Sequence, residues 1–157
     1  MLIAARSLEI SPDLHIPLRS FRLIPAGKGQ VVFFRPGGMG GAIKCTVRED
    51  GKMVGRVGPN RYYVIDAEPG VHTFTAKSEA TDAVTIQVEA DETAFVKCKI
   101  AMGLMVGRPN LSPAVELDFS KETKFEAMDA VKMAAEIAED QAKKTAGATG
   151  ASVPIAK

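Results

Sequence analysis

The chain has 157 residues, enough for one domain with a sizeable core and too few for two well-stabilised ones. Its 20 Lys and Arg against 19 Asp and Glu leave a net charge of +1 spread along the chain, without the basic footprint that nucleic-acid binding needs. Apolar runs such as 102–106 fall far short of the ~20 residues that span a bilayer, and Arg6 and Glu9 interrupt the apolar start before it reaches the length of a secretory leader.

Residues 1–29 carry Pro12, Pro17 and Pro25 and then the turn-like Ala26-Gly27-Lys28-Gly29, a composition that denies a long helix and predicts an arm. From residue 30 to 119 the apolar period becomes two, with short runs broken by Gly, Pro, Asn and Asp every eight to twelve residues or so. The runs are 31–35, 42–48, 52–57, 61–67, 71–77, 83–89, 94–100 and 114–119. Eight short strands at that spacing predict a mainly β fold, an antiparallel immunoglobulin-like β-sandwich over residues 30–119.

Alternation also assigns faces. Val84, Ile86 and Val88 share one side against Thr85, Gln87 and Glu89 on the other. Cys45 falls with Ile43 and Val47, and Cys98 with Ala94, Val96 and Ile100, so both cysteines are expected to point into the core. Asp50-Gly51 between two runs is a tight hairpin signal.

From residue 120 the chain turns rich in Ala, Glu, Lys and Met and predicts an amphipathic helix over 120–144, with Thr123 and Glu126 spaced as a capping box. Ala127, Met128, Val131, Ala134, Ala135, Ile137 and Ala138 would form its apolar arc. Residues 145–157, small and polar, are expected to be a disordered tail.

Few residues suggest chemistry. Cys45 and Cys98 lie on well-separated strands, so they are either a bridge between sheets or two buried thiols. A bridge would stabilise the fold by roughly 3 to 4 kcal/mol. The run Arg35, Pro36, Gly37, Gly38, Met39, Gly40, Gly41 has the consecutive glycines and the cation of an anion-binding loop, but no phosphate-loop order or following helix, so a bulged connection is the competing reading. Met102, Leu104, Met105 and Val106 follow a strand and form a contact patch if exposed, or a further strand or tucked loop if not.

His15 has Asp13 near it and His72 follows Pro69-Gly70-Val71; neither sits beside a nucleophile, and a structural role is expected for His72. Tyr62 and Tyr63 should face opposite ways. No catalytic set, metal site or cofactor is expected.

Val31-Val32-Phe33-Phe34-Arg35-Pro36, Asp50-Gly51-Lys52-Met53-Val54-Gly55, Tyr62-Tyr63 and Pro69-Gly70-Val71-His72-Thr73-Phe74 together give residues from about 29 to 119 a family likeness. That region resembles a bacterial domain family of unknown function, PEGA-like in style and often found on envelope lipoproteins. The resemblance implies a small sandwich in the cell envelope or periplasm with no enzymatic activity. It leads to the expectation of a structural or interaction protein, docking through sandwich, arm and helix onto a protein assembly or a copy of itself. The alternative is a binding module for an envelope polymer such as peptidoglycan or polysaccharide, using the glycine loop and a tyrosine. Without a visible leader or lipid-bearing cysteine, a cytoplasmic location stays open.

Overall fold

The computed structural model describes residues 23–121 and 124–148. Most of the expected arm, with His15, lies outside the described residues.

The strands are β1 (Gly29–Arg35), β2 (Cys45–Glu49), β3 (Lys52–Val57), β4 (Arg61–Ala67), β5 (Gly70–Lys77), β6 (Thr81–Val88), β7 (Thr93–Ala101) and β8 (Arg108–Ala114). They are followed by a short helix α1 (Glu116–Ser120), a two-residue strand β9 (Glu126–Ala127) and the helix α2 (Ala130–Ala148). One sheet has the order β8-β7-β1-β4-β9 and the other β3-β2-β5-β6. They stack face to face as the expected sandwich. The first sheet is mixed, however: β1 runs antiparallel to β4 but parallel to β7.

Between the sheets, Val31 and Phe33 of β1 pack with Val47, Val57, Phe74, Ile86 and Val96. Cys45 of β2 and Cys98 of β7 are joined there by a disulfide, with Cα atoms 6.6 Å apart, so the bridge ties one sheet to the other. Its partners are 53 residues apart, a loop length for which chain entropy gives about 4 kcal/mol. At the β2–β3 hairpin Asp50 and Gly51 both have positive φ, 48° and 75°, as a two-residue turn matched to strand twist requires.

The other face of β1 is buried too. Val32 and Phe34 pack with Phe95, Phe119 and Phe125 in a second cluster. Phe119 sits edge-on to Phe34 and Tyr62, at 5.4 and 5.2 Å between ring centroids, and stacks on Phe125 at 5.0 Å. α1, through Phe119, and Phe125 therefore form a third layer over the outer face of the first sheet.

Several boundaries differ from expectation for physical reasons. Residues 114–119 were expected as a strand from their alternation, but Val115 and Leu117 face solvent and only Phe119 is buried, on the short helix α1. The eighth strand lies earlier, across Pro109 and Pro113. Proline is tolerated there because β8 is an edge strand with no neighbour needing its N–H.

The helix expected over 120–144 begins only at Ala130. Phe125 turns in to the aromatic cluster and Glu126 forms β9, with its carboxylate 3.0 Å from Arg61. The cap is Asp129, whose Oδ1 accepts the Lys132 N–H at 2.9 Å. Thr123, the expected capping residue, lies outside the described residues. Thr145 belongs to the last turn of α2 rather than to the expected tail.

α2 lies along the free edge of β3. The Arg56 N–H donates to Met133 Sδ at 3.2 Å, Arg48 makes two bonds to Asp140 at 2.7 and 2.6 Å, Arg56 Nη1 lies 3.4 Å from Glu136, and Lys144 reaches Gly51 O. The helix thereby covers a strand edge that would otherwise invite pairing. The expected apolar arc is only partly used: Met128 and Ile137 pack on the core, whereas Val131, Ala134, Ala135 and Ala138 are exposed. Among the described residues no helix is long and apolar enough to cross a membrane.

Replacing Phe119 by Ala should cost about 3 to 5 kcal/mol in urea unfolding, the usual loss for a buried aromatic. A loss below about 1 kcal/mol would mean that the third layer is not part of the cooperative fold.

Candidate functional site

Strand directions gather four connections at one end of the sandwich: the glycine loop between β1 and β2, the turn between β3 and β4, the turn between β5 and β6, and the loop between β7 and β8. The two loops singled out in the sequence are neighbours here. A Cβ built on Gly40 would meet the Ile100 side chain at 2.8 Å, and one on Gly107 would meet both Ile100 and Ile43. Both loops thus back onto Ile100, and Ile43 of the glycine loop reaches Gly107 in the other.

Arg35, the cation at the head of the glycine run, is 1% exposed and turns inward, donating to Gly40 O at 2.8 Å, Met39 O at 3.3 Å and Ile43 O. Burial pulls the guanidinium pKa below its usual value. Three carbonyls meet the charge, and among the described residues no carboxylate does. Gly37, Gly38 and Gly41 are exposed parts of a connection that wraps this side chain, with Gly38 and Gly40 at positive φ.

An anion nest does exist, in the other loop, and the protein fills it itself. Glu79, in the turn between β5 and β6, accepts the backbone N–H groups of Met105 at 2.5 Å, Val106 at 2.7 Å and Leu104 at 2.9 Å, and lies 3.3 Å from Arg108 Nε. Three consecutive amides converging on one carboxylate make the concave donor set that binds anions elsewhere. The N–H groups of Val106 and Met105, ahead of the other contacts, hold the Glu79 carboxyl below the usual glutamate range.

Glu79 fixes the backbone and leaves the side chains outside. Met102 is 79% exposed, Leu104 89%, Met105 90% and Val106 51%, and Met39 on the adjacent loop is 62% exposed. The structure thus selects the exposed patch over the tucked loop or further strand. Nothing in the sequence couples residue 79 to residues 104–106, because the link is a contact between two turns.

The remaining candidates hold the fold. His72 Nδ1 lies 2.5 Å from Glu49 Oε1 and Nε2 lies 2.7 Å from Glu68 O, with the ring stacked on Phe74. Tyr63 is buried and stacked on Phe33 at 5.0 Å, and burial pushes its hydroxyl well above the usual phenol value. Tyr62 is half-buried against Phe119. A seam of about 370 Å³ between α2 and β4, lined by Tyr63, Ile65, Met128, Met133 and Ile137 among others, is continuous with the helix packing. Among the described residues no three His, Cys, Asp or Glu side chains converge to hold a metal.

The model of the DUF2846 family, described as a protein of unknown function, matches residues 25–109, more than half of the chain. The chain belongs to that family. No curated protein and no solved structure matches it. The DUF2846 span includes the disulfide and both loops of this end, and stops inside β8. α1, Phe125 and α2, which cover the outer face and the β3 edge, lie beyond it.

Because the folded Glu79 pKa is lowered, its stabilising contribution is complete above the unfolded glutamate value and is lost as pH falls through the folded one. Amide proton shifts of Met105 and Val106 should therefore titrate with a midpoint below the ordinary glutamate range, and Glu79→Gln should abolish that titration. A midpoint at or above the ordinary value would contradict the nest.

Proposed function

We propose that this DUF2846 chain is a non-enzymatic docking protein of the bacterial cell envelope, PEGA-like in style, that joins a larger structure through the loop end of its sandwich. The observation that carries this reading is the set of exposed side chains at 102–106, held on a backbone fixed by Glu79. Contiguous apolar exposure of this kind marks a contact surface, and methionines adapt to varied partners.

The envelope location draws support from the Cys45–Cys98 bridge, since disulfides persist in oxidising compartments. The non-enzymatic part rests on what the chemistry-bearing side chains do: His72, Arg35 and both cysteines are engaged in holding strands and loops together. Docking by way of α2 has less in its favour, because Met133, Glu136, Ile137 and Asp140 are spent on the molecule's own β3 edge and core. Polymer binding through the glycine loop and an exposed tyrosine has less in its favour, because Arg35 and Tyr63 are buried and Tyr62 is half-buried.

Fractionation of native cells after thiol blocking tests the proposal with wild type and the double variant Leu104→Ser, Met105→Ser, whose sites are too exposed to carry the fold. Wild type should travel with the envelope and contain no free thiol, and the variant should move to the soluble fraction. Envelope retention of the variant, or a soluble wild type with two free thiols, would contradict the reading.

A further inference from the structure

We propose that the surface engaged by this end is an anionic lipid bilayer, with Met39 and residues 102–106 seated at the boundary between headgroups and acyl chains. This rests on the docking reading above and names its partner. Three observations point to lipid.

The first concerns the backbone. A loop that enters a low-dielectric layer leaves its N–H groups without water, at a cost of several kcal/mol for each one unsatisfied. Here the N–H groups of Leu104, Met105 and Val106 are already bonded to Glu79. The tip can leave water without orphaning them.

The second is the chemistry of the tip. Met39, Met102, Leu104, Met105 and Val106 present hydrocarbon and thioether to the outside, with no side-chain donor for directional bonding. A protein or sugar surface would be recognised partly by hydrogen bonds; acyl chains ask for none.

The third is charge. Lys44, Lys77 and Lys99 are exposed on the segments that lead into these loops, and none has an ion-pair partner among the described residues. The carboxylates of the facing hairpin point inward, Glu79 of its turn to the loop amides and Asp82 of β6 to the Leu111 N–H at 2.6 Å. What remains outward is positive, which suits an anionic headgroup layer and falls within reach of its surface potential. A symmetric contact between two copies would instead set these lysines against each other.

The test uses the full oxidised chain and vesicles of equal parts phosphatidylcholine and phosphatidylglycerol, compared with vesicles of phosphatidylcholine alone. Wild type should cosediment with the anionic vesicles and bind the neutral ones about tenfold or more weakly, with binding falling as salt rises. Leu104→Ser with Met105→Ser should weaken binding by about tenfold or more. Lys44→Gln with Lys77→Gln should remove the preference for anionic vesicles while circular dichroism stays native.

Wild type left in the supernatant with anionic vesicles would overturn the lipid assignment, as would undiminished binding by the Leu104 and Met105 double variant. If vesicle binding fails while the same variant still leaves the envelope fraction in cells, only the lipid partner is wrong. If neither assay responds to the variant, the docking reading fails with it.

Discussion

A strand with large apolar side chains on both faces must be covered from two directions, because either face left in water forfeits the burial that drives folding. β1 is such a strand. Val31 and Phe33 require the second sheet, and Val32 and Phe34 require something on the outside of the first. The sequence after β8 supplies that cover through Phe119 and Phe125, so the C-terminal region completes the fold and is not appended to it. The family match ends at residue 109, before these aromatics, and this chain closes its outer face with residues beyond the match.

The same central position explains why the loop end is well organised. β1 ends in Arg35, and the chain leaving it has to pass over a buried cation; its carbonyls are the ligands that make that burial tolerable. Across from it, Ile100 meets both the glycine loop and the loop after β7. With Glu79 filling the amide nest from a third connection, three backbone N–H groups that usually face water at a loop tip are satisfied from within. Aliphatic side chains are what is left on the surface.

Much of the sandwich is legible in the sequence, because half-buried strands write their faces as alternation. The strands at Lys52–Val57 and Arg61–Ala67 stand where the pattern places them, and the core-facing placement of Cys45 and Cys98 is confirmed by their bridge. The third layer is less visible. Val31-Val32-Phe33-Phe34 is continuous rather than alternating, the mark of a strand buried on both faces, yet nothing local says that Phe119 and Phe125 are its cover. β8 hides behind two prolines that only an edge position allows. α2 starts late because Phe125 is worth more in the aromatic cluster than a residue of helix is, and propensity carries no record of that.

In the loop end the sequence identifies both segments and leaves the chemistry of one of them open. Consecutive glycines beside Arg35 offer an anion loop or a bulged connection, and the direction of a side chain at the end of a buried strand is a tertiary fact. Met102, Leu104, Met105 and Val106 stand out by composition, whereas Glu79 is one acidic residue among 19 Asp and Glu, and its role depends on two turns meeting in space. The measurement that tests this account most directly is amide hydrogen exchange, residue by residue, on the intact oxidised protein. The expected result is slowest exchange in β1 and clear protection of the Leu104, Met105 and Val106 amides despite their place at an exposed tip. Exchange of those three at the rate of an unstructured loop would contradict the central claim that the apolar end is presented on backbone amides that Glu79 already satisfies.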